Sequence, residues 1–246
     1  MHAFTRIVAV EFKLRMREKM TPFFTIALPL GLLFAFGLLP GADRPDEHLG
    51  GQSGAEYIAA IAMGVTIAVL GLMMLPGVLA DYRDKGVLRR MRATPVRPAF
   101  LLLAQVVINA VAALVAIVVL IVVGSLALGT PVPQRPAAFA QAAALTVASM
   151  FALGLLVAAV APDARAATGI AMLTFFPSMF LAGVYVPREQ LPPVLRDIGD
   201  LTPLGAGLRA MRDAWTGAAL QPAHLAIMAG YAVVAGLAAA RLFRWE

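Results

Sequence analysis

Apolar residues run in six long stretches along the chain, and charged residues collect between those stretches. A helix needs about 20 apolar residues to cross a bilayer, because each residue adds about 1.5 Å toward a hydrocarbon core of about 30 Å. The interiors of the six stretches contain no Asp, Glu, Lys or Arg, each of which would cost roughly 2.5–3.5 kcal/mol at the membrane centre. The pattern predicts transmembrane helices at about residues 22–40, 57–80, 98–129, 137–161, 166–186 and 223–243.

Composition agrees with a membrane protein. Of the 246 residues, 61% are hydrophobic and only 14% are charged, whereas a soluble domain has about 25% charged residues. The fold class predicted is therefore an all-α integral membrane protein that forms one transmembrane domain over residues 1–246. The chain has no cysteine, and its three histidines are scattered at positions 2, 48 and 224. We therefore predict no disulfide and no metal site.

The charges between the stretches predict which side each loop faces. If the N-terminus is cytoplasmic, the inner segments hold fourteen cations and six acids, a net charge of +8, and the outer segments hold six cations and eight acids, a net charge of −2. Positive loops stay on the cytoplasmic side of a membrane. We therefore expect six spans with both termini in the cytoplasm, in a bacterial plasma (inner) membrane. The net charge of +6 is explained without a nucleic-acid partner.

Residues 1–21 predict an amphipathic helix ahead of the first span. Three cations lie on one side, and the apolar residues lie away from them, although two charged residues interrupt the apolar side. The cations are Arg6, Lys13 and Arg17, the apolar residues are Phe4, Ile7, Val8 and Leu14, and the interruptions are Glu11 and Arg15. The segment is either an interfacial helix that touches a partner or a lead-in whose cations only fix the orientation.

The loop after the second span, residues 81–95, has the pattern of a short cytoplasmic helix. Val87, Leu88 and Met91 share one face of that helix, and Pro95 stops it. A cytoplasmic loop needs cations to stay inside but does not need an apolar face. Such a face fits either a groove on a partner protein or the membrane surface.

A second non-spanning segment, residues 188–215, precedes the last span on the outer side. Its apolar residues recur at helical spacing in two runs separated by Pro203, and Trp215 suits the aromatic belt at the membrane interface. Two short amphipathic helices here would form a cap that dips into the membrane, provided that protein buries their backbone. The alternative is a loop that lies flat on the lipid headgroups.

The sequence contains no Walker A loop, no zinc-protease motif and no nucleophile elbow. No Asp, Glu or His lies in the interior of a span, where it could relay protons. The polar residues inside the spans are mild, and we expect most of them to form hydrogen bonds between helices. They are Thr66, Gln105, Asn109, Ser125, Gln141, Thr146, Ser149, Thr168, Thr174 and Ser178. The chain is therefore not predicted to be an enzyme, and any work it does must be driven by another protein.

Two segments resemble the permease subunits of ABC-2 type exporters, in which the membrane half and the ATPase half are often separate polypeptides. One is the run Arg83-Asp-Lys-Gly-Val-Leu-Arg-Arg-Met-Arg-Ala-Thr-Pro-Val. The other is Phe180-Leu-Ala-Gly-Val-Tyr-Val-Pro-Arg-Glu-Gln-Leu-Pro, followed by Leu201-Thr-Pro-Leu and Leu208-Arg-Ala-Met-Arg. The resemblance, which includes the six-span plan, covers nearly the whole chain.

The resemblance implies that residues 84–91 are a coupling helix seated in a groove of an ABC ATPase. The contact residues implied are Asp84, Lys85, Gly86, Val87, Leu88, Arg89, Arg90 and Met91. The family often has Glu where this chain has Asp84. The N-terminal helix would be the connecting helix near the ATPase, the 188–215 segment would be re-entrant helices, and spans two and five would face a pathway between two permeases.

These observations lead us to expect a permease subunit of an ATP-driven exporter, acting as a homo- or heterodimer in membrane lipid. It would move an apolar or amphipathic molecule, such as a drug, antibiotic or lipid-like compound, as in efflux and antibiotic resistance. ATP and magnesium would bind the partner subunit, and this chain would hold no cofactor. Candidate pathway-lining residues are Thr66, Asn109, Phe175, Phe176, Met179 and Phe180. The alternatives are a membrane anchor or assembly factor without transport, and a secondary carrier.

Overall fold

The computed structural model describes residues 2–17, 23–49, 51–87, 90 and 99–243. These residues form nine helices longer than one turn. They are α1 (His2–Arg17), α2 (Phe23–Gly37), α3 (Gly54–Asp84), α4 (Ala99–Leu128), α5 (Pro136–Val160), α6 (Ala164–Leu181), α7 (Pro193–Asp200), α8 (Pro203–Trp215) and α9 (Pro222–Leu242). The all-α class is confirmed. One small departure is an antiparallel pair of two-residue strands, β1 (Pro45–Asp46) and β2 (Gln52–Ser53), in the loop after α2.

Within the described residues, five helices are long and apolar enough to cross a membrane: α3, α4, α5, α6 and α9. Their bounds lie within a few residues of the predicted spans. The helix in the first predicted span, α2, has only five π-helical and ten α-helical residues, fewer than a bilayer needs. Residues 18–22, which include the predicted start of that span, lie outside the described chain. Six spans therefore stay a prediction.

Local sequence explains where the spanning helices begin and end. Ser53 begins α3 with a capping box, in which its hydroxyl accepts from the Glu56 N–H and the Glu56 carboxylate accepts from the Ser53 N–H. α6 ends five residues before the predicted span does, because Gly183 turns the chain with a φ of +84°. Gly86, with a φ of +67°, ends α3 in the same way at the other side of the bundle.

Two helices contain π-helical segments, and each segment lies just ahead of a proline. Phe23–Ala27 is followed by Pro29, and Val69–Met74 is followed by Pro76. Proline has no N–H to donate within a helix, and its ring clashes with the carbonyl four residues earlier. A wider π turn relieves that clash, which accounts for the position of both segments.

The core of the bundle is built on close backbone contacts. The π-helical segment of α3 brings Gly71 against Gly154 of α5, where an added Cβ on Gly154 would lie 1.9 Å from the Gly71 carbonyl oxygen. Outside this contact, α5 packs most extensively on α9 and α8. α8 lies within the bundle, and Trp215 at its end is buried with its ring 5.5 Å from that of Phe139. The prediction that Trp215 belongs to an interfacial belt is wrong, because the indole packs inside the protein.

We predict that Gly154→Ala destabilises the folded bundle by about 1–3 kcal/mol, because the new methyl group meets backbone that cannot rotate away. The measurement is the apparent melting temperature of the purified protein in detergent. Gly230→Ala in α9 is the matched control, since no atom lies within 4 Å of its added Cβ. We expect Gly230→Ala to be neutral or slightly stabilising. Equal melting temperatures for Gly154→Ala and the unmodified protein would contradict the proposed packing.

Candidate functional site

The predicted partner-contact segment begins where α3 ends. The N–H groups of Lys85 and Gly86 donate to the carbonyls of Asp81 and Arg83, both at 2.9 Å. Gly86 then takes the left-handed conformation that closes such helix ends, which a residue with a side chain adopts only at a cost. The chain therefore leaves α3 at a defined angle immediately before the loop.

The structure describes five of the eight predicted contact residues. Asp84, Lys85 and Arg90 are exposed, and Gly86 and Val87 are half-buried. Val87 packs against the edge of the hydrophobic core. Leu88, Arg89 and Met91 lie outside the described residues. Contact of this segment with an ATPase stays a prediction.

The last two residues of α3, Arg83 and Asp84, form hydrogen bonds with the turn between α5 and α6. The Arg83 guanidinium donates to the carbonyls of Ala158 and Ala161, at 3.3 Å and 2.6 Å. The Asp84 carboxylate accepts from the N–H of Ala164 at 2.8 Å. Although Asp84 is one methylene shorter than the Glu frequent at this position in the similar family, it makes a defined contact, and that contact is with backbone.

Glu11 of the N-terminal helix forms a second polar contact on the same side of the bundle. Its carboxylate accepts hydrogen bonds from the Tyr82 hydroxyl and from the Gln105 amide, each at 2.6 Å. Gln105 is buried, and Phe4 of α1 packs edge-on against Phe100 of α4. The predicted helix over residues 1–21 is described as α1, and Glu11 ties it to α3 and α4.

Sequence reasoning did not identify Glu11, Tyr82 or Arg83 as functional residues. Glu11 was recognised only as an interruption of the apolar face, although that face is the one turned toward the bundle. A carboxylate on the buried face of an otherwise apolar helix needs a partner, and this was the available signal. The positions of Tyr82 and Arg83 beside their partners depend on tertiary packing.

Most polar side chains within the spans bond to their own helix. Thr66 donates to the Ala62 carbonyl at 2.8 Å, and Asn109 donates to the Gln105 carbonyl at 2.8 Å. The hydroxyls of Thr168, Thr174 and Ser178 do the same. The expectation that most of them would link helices is wrong for these residues. The backbone carbonyl one turn earlier in the same helix is always within reach of such a side chain. Gln105 and Thr146, whose hydroxyl also lies 3.4 Å from the Met228 sulfur, do reach other helices.

An apolar groove of about 650 Å³ lies between α2, α3 and α6, with Arg15 and Asp81 among its charged lining residues. Two of the predicted pathway residues, Phe175 and Phe176, line it, with their rings 5.4 Å apart. Phe180 is partly exposed on the same helix, α6. The other three, Thr66, Asn109 and Met179, are buried within the single chain. The apolar part of the groove is lined by Phe24, Leu28, Val65, Val69, Met73, Met74 and Val78.

A charged cluster occupies the opposite end of the molecule, around a cavity of about 280 Å³. Arg188 pairs with Asp200, and Arg212 pairs with Glu189 at 2.7 Å. Arg212 also donates to the Leu49 carbonyl, and the Tyr57 hydroxyl donates to the Gly183 carbonyl at 2.6 Å. These contacts join α8 to the 188–190 turn and to the loop before α3, and they join α3 to the turn after α6. The structure describes the predicted outer helices as α7 and α8.

Burial changes the acidity of one carboxyl group in this cluster. It raises the pKa of Asp213 above its ordinary value, and the positive charges of Arg209 and Arg212 oppose that shift. No sequence pattern relates the members of the cluster, because they lie in separate loops and short helices.

Comparison with known proteins identifies one family. A model of the ABC-2 type transporter family matches residues 2–215, a range that runs from α1 to the end of α8. The match includes the α3 end, the α5–α6 turn and the groove. No curated protein matches the chain.

We predict that Glu11→Ala releases α1 from the bundle. Each hydrogen bond to a charged group contributes roughly 1.5–3 kcal/mol, so amide hydrogen exchange over residues 2–17 should become faster by at least about tenfold. Lys13→Ala is the matched control, because Lys13 is an exposed residue of the same helix. Exchange that is unchanged in Glu11→Ala, or equally faster in both variants, would show that Glu11 does not hold α1 in place.

Proposed function

Because the chain belongs to the ABC-2 type transporter family, whose members are the membrane permeases of ABC transporters and act with an ATPase subunit, we propose that it is the permease of an ATP-driven exporter. The motor is a separate ABC ATPase, and a second permease copy completes the transporter. The observation that carries this proposal is the bonding of the α3 end, just before the loop over residues 84–91, to three other parts of the bundle.

The topology proposed is six spans with both termini in the cytoplasm. The charge balance of the loops supports it, with the α1, 81–97 and α5–α6 segments on the positive side. In this arrangement α7 and α8 are re-entrant helices at the outer face. The deep burial of α8 supports their entry into the membrane, since non-spanning backbone at that depth must be covered by protein.

The coupling proposed places the apolar face of the 84–91 helix in a groove of the ATPase. The exposed charges of Lys85 and Arg90 would surround that contact, whereas the Asp84 carboxylate is bonded to the Ala164 N–H of α6. Movement of the ATPase would then act on a loop whose root is bonded to α1, α5 and α6. The cargo pathway lies at the dimer interface beside α3 and α6.

The apolar groove supports an apolar or amphipathic cargo. Its wall is formed by aliphatic, methionine and phenylalanine side chains, while Arg15 and Asp81 provide charge. Such a surface suits a flat aromatic cation, which can stack on Phe176.

The first test is Leu88→Asp combined with Met91→Asp. Burial of each apolar side chain contributes roughly 1.5–3 kcal/mol, so the double change should weaken binding to the partner ABC ATPase by about a hundredfold or more. ATP-dependent, vanadate-sensitive uptake of ethidium into inside-out vesicles should be lost with it. Both quantities are measured on the co-expressed complex.

Leu38→Asp combined with Leu39→Asp is the matched control. These two exposed leucines directly follow the carboxyl end of α2, outside the 84–91 segment. It should preserve ATPase binding. If the Leu88 and Met91 variant binds the ATPase and transports ethidium normally, the coupling assignment fails. If the unmodified complex shows no ATP-dependent transport, the exporter proposal fails.

The second test concerns the groove. Phe176→Ala removes an aromatic face from the proposed cargo site, and we expect the ethidium concentration for half-maximal transport to rise by about fivefold. Leu173→Ala is the control, since Leu173 lies on the same helix but is 78% exposed and does not line the groove. An equal change in both variants would exclude a specific cargo contact at Phe176.

A further inference from the structure

The end of α3 is bonded to both helix ends that meet at the α5–α6 turn. Ala158 and Ala161 lie at the carboxyl end of α5, and Ala164 begins α6. The Arg83 guanidinium donates to the two alanine carbonyls, and the Asp84 carboxylate accepts from the Ala164 N–H. We call this pair of residues and its three backbone contacts the Arg83–Asp84 clamp.

Each member of the clamp has the charge that its helix end favours. The last carbonyls of a helix have no partner within the helix and carry partial negative charge, while the first N–H groups carry partial positive charge. Arg83 meets the negative end of α5, and Asp84 meets the positive end of α6. Two consecutive residues of α3 therefore complement two helix ends of opposite partial charge, the carboxyl end of α5 and the amino end of α6.

Packing around the clamp brings the backbones close together. Ala80 of α3 is buried against Ala161 and Ala167, in a cluster completed by Ala164, Ala166 and Ile170. Alanine side chains leave little room for sliding, because there are no long rotamers to rearrange between the backbones. The α3 end and the α5–α6 turn are thus held both by charge and by contact.

From this arrangement we propose that Arg83 and Asp84 are positioning residues that make the root of the coupling loop and the start of α6 move as one body. The inference rests on the proposed function, because it assigns a route for force from the ATPase. Displacement of the loop after Gly86 would pull directly on the first turn of α6, whose later residues Phe175 and Phe176 line the groove. Without the clamp, that displacement would be absorbed by rotation at the turn.

The carboxylate of Asp163 provides a matched control within the same turn. It caps α6 by accepting from the Ala166 N–H at 2.7 Å, so Asp163→Ala removes a cap from the same helix end without touching α3. Asp84→Ala removes both a cap and the link to α3. Asp84→Asn keeps a side-chain oxygen that can accept from Ala164. A role limited to helix capping would make the Asp84→Ala and Asp163→Ala variants equivalent.

The first measurement follows the clamp inside the permease. The chain has no cysteine, so Lys85→Cys and Arg165→Cys provide the sites for two spin labels, and copies are diluted with unlabelled protein. We expect a narrow distribution of distances between the labels, unchanged by Asp163→Ala and clearly broadened by Asp84→Ala. This result does not depend on transport. A distribution that Asp84→Ala leaves narrow would overturn the clamp.

The second measurement is the amount of ethidium transported per ATP hydrolysed by the complete complex. Asp84→Ala should lower this ratio by about tenfold, the equilibrium equivalent of one lost hydrogen bond to a charged group, while ATP hydrolysis continues. Asp84→Asn should restore most of it, and Asp163→Ala should retain it. If the unmodified complex transports ethidium and Asp84→Ala keeps its ratio, or Asp163→Ala lowers it equally, the inference fails and the exporter proposal stands.

Discussion

Within a hydrocarbon layer, every backbone N–H and carbonyl must find its partner inside the protein. Continuous helices meet this requirement along their length but not at their ends, where four groups of each kind are left over. In this chain, side chains from other elements meet part of that need. Ser53, Asp163 and Thr202 cap their own helices, whereas Arg83 and Asp84 supply groups to α5 and α6. These hydrogen bonds at the helix ends therefore join spans that also pack against one another along their length.

The same requirement explains how well the sequence predicts the spans. Long apolar runs without charge have one stable form in a bilayer, so α3, α4, α5, α6 and α9 lie close to their predicted positions. The exceptions have local causes that hydropathy does not register. Gly183 ends α6 early, and α2 ends at Gly37, three residues before the predicted span does. The burial of Trp215 depends on Phe139, which lies far away in the sequence.

The functional contacts were harder to predict because they connect distant segments through single polar atoms. The pattern predicted a loop after the second span and a helix over residues 1–21. It could not show that Glu11 meets Tyr82 and Gln105, because no periodicity relates those three positions. Thr66 and Asn109 show the opposite case. Their polarity suggested contacts across helices, but a carbonyl of the same helix was nearer.

The α5–α6 turn has a consequence for how relatives of this protein can differ. Arg83 and Asp84 are adjacent in sequence, and their targets stand on either side of a turn formed by Ala161, Pro162 and Asp163. Inserting or deleting a single residue there would displace the start of α6 by up to about 3.5 Å relative to the end of α5 and separate one of the two targets from its partner. Evolution should therefore tolerate changes in the length of the loop between α2 and α3, residues 38–53, far more readily than any change in the length of this short turn.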